Sequence, residues 1–491
     1  MSDNFSINKE NKVVTRFAPS PTGFMHIGGI RTAIFAYLWA RKNNGIFILR
    51  IEDTDKSREV SGSIEHIIES LKWFGLDYDF GPDKNNPFGS CKQSERLDSY
   101  IKWAKILEEK GFAYPDTFST EEIESLRKKA EDEKRPFLIR EHRKENLSKW
   151  DGKTALRFKV PEIKRYTWKD TVMGELSAGP EALDDFILIK ADGFPTYNFA
   201  HIIDDYEMGV NCIIRGQEFI SSTPKFLSLY DALGFSYPEF VTVPSILRDD
   251  RTKKLGKRDG AKDIFDYKDE GYLPEAMFNF LALLGWHPTD ERELFTKDEL
   301  INIFEIDRIQ RAGATFNEEK LKWINKEHIR KLDINKKVSF IKSFLSNDIK
   351  LLPYFSDDIL AKSSNIIIDH IDKGLDVTEM SISGELNYIF DVPKYDKLML
   401  LWKNENMDDT KKRLQIVYDF VKGMDDSVFE HSSTIKDSIF KVALKEGTGQ
   451  LLWPLRVALS GLSKSPDPFT IMHIIGKERT LGCLELAIKM I

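Results

Sequence analysis

The sequence predicts an α/β fold in which a parallel sheet is split by an inserted segment and is followed by an all-α C-terminal region. A strand, a loop, a helix and a second strand occur within about forty residues near the start of the chain, which is the pattern of a βαβ unit. A run of mixed charge from about 118 to 150 then interrupts the strands. Beyond about Leu332 only helical periodicity remains.

The individual elements follow from periodicity and from breakers. The first strand, Val13–Phe17, is β-prone and stops at the prolines of the next loop, and a helical repeat of apolar residues then runs to Leu38. The second strand is Ile46–Ile51. The remaining predicted helices and strands of the α/β part are Ser63–Phe74, Leu97–Glu109, Ala155–Val160, Asp185–Lys190, Ile213–Ile214, a helix from Pro224 to Leu233, and Val241–Val243.

Composition excludes several classes of protein. The 491 residues are 41% hydrophobic and 31% charged, which excludes a globally disordered chain. The net charge of −7 excludes a generally polycationic DNA-coating protein, although a local basic face for nucleic acid remains possible on this balance. The three cysteines are scattered singly, so neither a disulfide framework nor a zinc ribbon is indicated. The polar N-terminus and the short apolar runs predict a cytoplasmic protein without a membrane partner.

The loop Ala18–Gly29, which joins the first strand to the first helix, is the first candidate site. Ligands of open α/β sheets bind at the carboxyl ends of parallel strands. Gly28 and Gly29 let the backbone approach a ligand, the following helix start suits an anion, and His26 could donate to a phosphate oxygen. An ordinary tight turn with a helix-capping histidine explains this loop equally well.

A basic, glycine-containing loop at 247–260 is the second candidate. Its mobile lysines could neutralise charge on a phosphoryl group and its leaving group. A run of basic residues is more often an ordinary solvated surface loop. The position of this loop late in a split sheet nevertheless favours a functional role.

Charged residues at strand ends form the third group. Arg16 ends the first strand, Glu52 follows the second and Arg215 ends a later one. Arginine binds a carboxylate through two parallel charge-assisted bonds, and a carboxylate can hold an ammonium. Two arginines and a glutamate at one sheet edge would suit an acidic amino acid. Each taken singly is more often a surface ion pair.

Four long motifs, in order, carry a family resemblance. They are RFAPSPTGFMHIGGIRTAIFAYLWAR, RIEDTD, DGFPTYNFAHIIDDYEMGVNCIIRGQEFISSTPK and KKLGKRDG. Together they resemble the bacterial glutamyl-tRNA synthetases, which are class I aminoacyl-tRNA synthetases, and the likeness extends to a C-terminal segment similar to the family's anticodon-binding end. The resemblance implies a Rossmann-like catalytic domain split by an α+β insertion. It implies these domains: 1–115 and 195–242 for the catalytic halves, 116–194 for the acceptor-stem-binding insertion, 243–332 for a stem-contact region and 333–491 for the anticodon-binding helices.

The resemblance also implies a reaction and its residues. Glutamate attacks the α-phosphorus of ATP to give glutamyl-adenylate, and the terminal ribose of tRNA then takes the glutamyl group. By similarity, His26 of the HIGH-like motif contacts phosphate, and Lys254 and Lys257 belong to the KMSKS-like loop. The implied glutamate-binding residues are Arg16, Ala18, Ser20, Glu52, Tyr197, Asn198, His201 and Arg215. The implied ATP-binding residues are His26, Gly28, Gly29, Glu218, Leu247 and Lys257.

Three departures from the family pattern are present. Gly29 replaces the second histidine of HIGH, and Gly256 stands where the KMSKS-like loop has a serine. The insertion contributes no cysteine around Tyr114, so the zinc of some relatives is not expected, and no protein metal ligand is assigned. ATP as substrate and Mg²⁺ with it are expected.

The resemblance leaves several matters open. Arg16 is our first choice for the side-chain carboxylate and Arg215 for the α-carboxylate, with the reverse not excluded. The partners expected are tRNA(Glu), L-glutamate and ATP, with tRNA(Gln) open as a second substrate, no DNA, and a monomeric chain. Two alternatives are a relative that charges a modified base within tRNA and a catalytically dead paralogue that binds tRNA. The first would lack the C-terminal helices, and the second would lack His26 or Lys257.

Overall fold

The computed structural model describes residues 12–145, 148–248 and 262–491. The chain divides into two compact units, one of residues 1–268 and 274–321 and one of residues 269–273 and 322–491. The predicted α/β class with parallel strands and an all-α C-terminal region is confirmed. None of the helices in the described ranges has the length and apolar character needed to cross a bilayer.

The strands of the first unit carry the ends that form the candidate site. They are β1 Val14–Phe17, β2 Ile46–Leu49, β3 Ala113–Pro115, β4 Leu156–Phe158, β5 Tyr166–Asp170, β6 Gly174–Ala178, β7 Ile187–Ile189, β8 Cys212–Gly216, β9 Glu239–Val243, β10 Ile246–Leu247 and β11 Ala314–Thr315. Pairs β1–β2 and β8–β9 are parallel, and the Asn211 N–H beside β8 donates to the Val14 carbonyl of β1 at 3.2 Å. The carboxyl ends of β1 and β8 therefore lie at one edge.

The helices of the first unit surround these strands. They are α1 Ile27–Lys42, α2 Ser63–Trp73, α3 Leu97–Glu109, α4 Thr120–Asp132, α5 Tyr197–Glu207, α6 Thr223–Leu233, α7 Ile264–Asp269, α8 Pro274–Leu283 and α9 Lys297–Ile303. The next helix, α10 Glu318–Lys331, begins in the first unit and from Lys322 belongs to the second. Helix α6 ends where Gly234 adopts a φ of 77°, a left-handed conformation that favours glycine. Helix α4 begins with a capping box between Ser119 and Glu122 and buries only Ala130, as expected for a solvated helix.

The strands in and beside the inserted segment form two sheets, one of which also contains β8 and β9. Strands β3, β4 and β7 form an antiparallel sheet of their own. The antiparallel pair β5–β6 instead extends the sheet of β8 and β9, through a parallel contact between Asp170 and Phe240. The Asp170 carboxylate accepts from the Thr242 hydroxyl at 2.6 Å, which fixes this junction in the core.

The second unit is all helical in its described elements. After α10 these are α11 Ile334–Phe344, α12 Asn347–Lys350, α13 Asp357–Asp369, α14 Gly374–Ser383, α15 Asn387–Phe390, α16 Met407–Lys422, α17 Ser432–Glu446, α18 Thr448–Ser460 and α19 Pro468–Met490. Their apolar faces share one core, which includes Ile367, Leu414, Leu455 and Leu484. The main part of the helical unit begins at Lys322, as judged by which residues pack together. The domain boundaries that the family resemblance implies stay predictions.

Candidate active site

A cleft of about 820 Å³ lies at the carboxyl ends of β1 and β8, beside the N-terminus of α1. Three of the four sequence motifs that were singled out converge here, and the fourth lies outside the described residues. Of the predicted site residues, the cleft is lined by Arg16, Ala18, Ser20, His26, Gly28, Gly29, Glu52, Tyr197, Arg215 and Glu218. The strand-end argument therefore brings together side chains that are up to about 200 residues apart in sequence.

His26 caps the helix that points into this cleft. It is the N-cap of α1, and its Nδ1 accepts the Gly28 N–H at 3.1 Å. Because Nδ1 accepts, a neutral ring carries its proton on Nε2. A Cβ at Gly28 would lie 2.9 Å from Cε1 of His26, and one at Gly29 would lie 2.7 Å from the terminal methyl of Met25. Both glycines thus allow the histidine and the loop to pack closely against the helix start.

The floor of the cleft is a buried network of charges. Arg16 donates from Nε to Asp205 Oδ1 at 3.1 Å. Arg50, which is fully buried, donates to the same oxygen at 2.6 Å and to Glu52 Oε1 at 3.0 Å. Asp205 therefore links the two arginines, and Arg50 links Asp205 to Glu52. This arrangement fixes Arg16 and Glu52 at the cleft surface from behind.

A second layer of polar contacts surrounds Asp204, the neighbour of Asp205 on α5. Its carboxylate accepts from Arg96 Nε at 2.8 Å, from Gln93 Nε2 at 2.8 Å and from the Tyr100 hydroxyl at 2.9 Å. Arg50 Nε approaches the same carboxylate at 3.7 Å. Asp204 is fully buried, so these contacts replace all of its hydration.

Burial and charge give the carboxyl groups of Glu52 and Asp205 different pKa values. Burial raises the pKa of Glu52 to about 7, although Arg50 and Arg16 act in the opposite direction. Burial also raises the pKa of Asp205, but the attraction of Arg16 and Arg50 outweighs it and leaves this pKa below its ordinary value. Asp205 is thus a permanent anion that neutralises the arginines, whereas Glu52 is poised to gain from a cation placed beside it.

Arg215 differs from the buried arginines of the unit that pair with carboxylates, which are Arg16, Arg50, Arg96 and Arg157. It is 6% exposed, and its guanidinium donates to the Thr223 hydroxyl at 2.7 Å and lies against the rings of Phe219, Phe226 and Phe240. Within the described ranges no carboxylate stands at ion-pair distance from it. Burial lowers its pKa, but an arginine remains charged at neutral pH. A buried cation that lines a cleft without a protein anion is suited to an anionic ligand.

Three predicted residues lie away from the cleft surface. His201 is buried beneath Tyr197, with their rings stacked at 4.6 Å and its Nδ1 bonded to the Tyr197 carbonyl oxygen at 2.6 Å. Burial lowers its pKa to about 3, so the ring is neutral. Asn198 is half-buried on the same helix and does not line the cleft. Leu247 lines a neighbouring cavity of about 500 Å³.

The predicted Lys254, Lys257 and Gly256 lie outside the described residues. Sequence reasoning missed Arg50, Asp204 and Asp205, which hold the cleft residues in place. A signal for Arg50 exists, because a single charge inside the apolar run IFILRI indicates a buried ion pair. In the described part of the chain no group of three or more His, Cys, Asp or Glu side chains has the arrangement of a metal site.

Two family profiles match the chain. The profile of the tRNA synthetases class I (E and Q), catalytic domain, covers residues 12–323, and that of an anticodon binding domain covers residues 349–488. The chain is 38% identical to a glutamate–tRNA ligase of Clostridium botulinum strain Okra over 97% of this chain and 98% of that one. It is 37% identical to one of Clostridium kluyveri over 97% and 98%.

Solved structures are similar over the same extent. A glutamate tRNA ligase from Elizabethkingia meningosepticum, crystallised in complex with its amino acid, superposes with a TM-score of 0.84 at 33% identity, covering 97% of this chain and 99% of that chain. A glutamate-tRNA synthetase from Elizabethkingia anophelis superposes with a TM-score of 0.80 at 33% identity, covering 97% and 100%.

Proposed function

The chain belongs to the class I tRNA synthetases of the E and Q group, and on that premise we propose that it is a glutamate–tRNA ligase. In the first step an α-carboxylate oxygen of glutamate bonds to the α-phosphorus of ATP, and the bond to the departing pyrophosphate breaks. In the second step a terminal ribose hydroxyl of tRNA bonds to the activated carbonyl carbon, AMP departs, and the hydroxyl proton is released. The observation that carries the proposal is a cleft lined by Arg215, which has no carboxylate at ion-pair distance in the part of the chain that the structure describes.

The glutamate pocket is proposed to use the residues fixed by the buried network. Arg16 and Arg215 would take the two carboxylates of the substrate, with the side-chain carboxylate assigned to Arg16. Glu52 would hold the ammonium. Ala18, Ser20 and Tyr197 would complete the pocket. His201 would act through the position of Tyr197 because it is buried beneath that ring, and Asn198, which does not line the cleft, would act from the same helix. Glutamine would lose a charge-assisted bond to an arginine and would turn amide donors towards guanidinium donors.

ATP is proposed to lie along the N-terminus of α1. His26 through its Nε2–H, with the backbone at Gly28 and Gly29, would face phosphate, and Glu218 would lie by the nucleotide. Leu247, which lines the neighbouring cavity, would contribute only through its backbone. Lys254 and Lys257 would stabilise the charge of the triphosphate. A Mg²⁺ ion would enter with ATP, because it takes most of its ligands from phosphate oxygens and water and needs no set of protein carboxylates built in advance.

The pKa of Glu52 gives this pocket a pH dependence. An ammonium bound beside Glu52 favours its ionised form, so below the pKa of about 7 glutamate binding must expel a proton. We expect the KM for glutamate to be roughly tenfold higher at pH 6 than at pH 8, since one pKa unit corresponds to a factor of ten. A Glu52→Gln variant should have a high KM that no longer changes with pH. A wild-type KM that is constant from pH 6 to pH 8 would contradict the role of Glu52.

Binding of tRNA is expected to weaken as the salt concentration rises. Because the net charge is −7, basic residues must be concentrated on the tRNA-facing side. We expect affinity for tRNA(Glu), measured by filter binding, to fall at least about tenfold between low and moderate salt as counterions compete. A flat response would contradict this. The acceptor-stem role of the insertion, the monomeric state and the cytoplasmic location are part of the same proposal.

The experiment that tests the function is charging of purified transcripts. Radiolabelled glutamate, ATP and Mg²⁺ are supplied with tRNA(Glu) or tRNA(Gln), and a pyrophosphate-exchange reaction without tRNA and an Arg16→Ala variant run alongside. Charging of tRNA(Glu) alone supports a discriminating ligase, and charging of both supports a relaxed one whose product on tRNA(Gln) needs amidation. Charging of neither would overturn the proposal and favour a tRNA-binding paralogue.

A further inference from the structure

His66 on α2 is bonded through both ring nitrogens to the two segments that flank the proposed nucleotide motifs. Its Nδ1 accepts the N–H of Met25 at 3.3 Å, and its Nε2 lies 2.9 Å from Asp263 Oδ1. Because Nδ1 accepts, Nε2 carries the proton and donates to the aspartate. Met25 directly precedes His26, and Asp263 follows closely after residues 249–261, which contain Lys254 and Lys257.

The imidazole is held in place from several sides. Its ring stacks on Phe24 at 4.6 Å and meets Phe265 edge-on at 4.7 Å. The Ser63 hydroxyl at the start of the same helix donates to the Pro21 carbonyl at 2.9 Å, so α2 contacts the loop before α1 at two places. The side chain of His66 is 11% exposed. Little freedom remains for the ring to leave either hydrogen bond.

The backbone confirms that these two segments meet at Asp263. Asp263 forms an isolated antiparallel bridge with His26, and the N–H of Ile264 donates to the Met25 carbonyl at 3.1 Å. The Oδ1 that faces His66 also accepts the Phe265 N–H at 2.8 Å, which orients it at the start of α7. His66 is therefore the side chain that ties this backbone contact to α2.

We propose that His66 is a positioning residue for ATP, which sets the loop before α1 against the segment after residue 261 by bonding to both at once. The proposal rests on the proposed function, since it assumes that His26 contacts the phosphates of ATP. Phosphate is bound well by this loop only if the loop is fixed in position beforehand, and His66 fixes it through the Met25 N–H while Asp263 orients the ring. Glutamate is proposed to contact Arg16, Glu52 and Arg215 and not His26.

Three variants of His66 separate the two hydrogen bonds. Phe keeps the stacking and removes both bonds. Asn places a polar group near the Nδ1 position and can keep the bond from Met25, whereas Gln reaches the Nε2 position and can keep the bond to Asp263. If both bonds are needed at once, all three variants should raise the KM for ATP about five- to thirtyfold, which corresponds to roughly 1–2 kcal/mol. The KM for glutamate should change less than twofold.

The test is glutamate-dependent pyrophosphate exchange in the presence of tRNA(Glu), with active sites titrated. His370→Phe, at the exposed C-cap of α13 in the other unit, is the matched control and should leave both KM values unchanged. Selective loss of ATP affinity in all three variants supports the proposal. An unchanged KM for ATP in any of them, or an equal rise in both KM values, overturns it. Absence of exchange with the wild-type protein would instead overturn the proposed function.

Discussion

Replacing Arg215 by methionine is expected to raise the KM for glutamate roughly a hundredfold or more without lowering the stability of the fold. The loss of charge-assisted bonds to a substrate carboxylate corresponds to about 3 kcal/mol. Among the described residues, the side-chain partners of Arg215 are the Thr223 hydroxyl and three aromatic rings. Methionine removes a buried charge that has no carboxylate at ion-pair distance among the described residues, so thermal stability should stay equal or rise.

Arg96 provides the matched control for this prediction. It is also a buried arginine, but it pairs with Asp204 at 2.8 Å and with Glu207 at 2.6 Å and does not line the cleft. Arg96→Met should lower thermal stability and leave the KM for glutamate nearly unchanged in the molecules that remain folded. Steady-state kinetics and calorimetry on the two variants measure both effects. A destabilised Arg215→Met protein with normal glutamate affinity would show that Arg215 has a structural role only.

Replacing Asp204 by asparagine is expected to destabilise the unit that holds the cleft by about 3–5 kcal/mol, because the change removes one carboxylate from two buried arginines and places an amide donor opposite other donors. Arg96 then keeps Glu207, and Arg50 keeps Asp205 and Glu52. Arg96 and Arg50 both approach this carboxylate, and Gln93 and Tyr100 donate to it. Asparagine keeps the shape of the side chain, so the effect reports charge and not a cavity.

Urea unfolding followed by circular dichroism measures this change. Asp192→Asn is the control, since Asp192 is exposed and forms an ion pair with Lys190 at the surface. The control should change stability by less than about 1 kcal/mol. Equal stability of Asp204→Asn and the wild type would mean that the buried network is not a source of stability.

The sequence predicted the cleft because each of its elements has a local signal. A strand that ends at prolines, a glycine-rich helix start and single charges after apolar runs place Arg16, His26, Glu52 and Arg215 at strand ends. Parallel strands then bring these ends to one edge. The fold class follows from this argument and is confirmed by the structure. The structure also places these four residues around one cleft, and their roles stay predictions.

The supporting network could not be predicted in the same way. Arg50 and Asp205 are 155 residues apart, and which carboxylate a buried arginine meets depends on tertiary packing. The neutral state of His201 follows from its burial beneath Tyr197, and no local pattern distinguishes it from a cleft-facing histidine. His66 lies on an ordinary amphipathic helix, where its two partners are set by contacts distant in sequence.

The most direct test of the central claim, that this cationic cleft selects a carboxylate side chain, compares glutamate with glutamine as substrates for charging tRNA(Glu). The measurement is kcat/KM for each amino acid at pH 8. We expect glutamate to be preferred by roughly a hundredfold or more, because a buried arginine left without its carboxylate costs a few kcal/mol. Comparable kcat/KM values for the two amino acids would contradict the account.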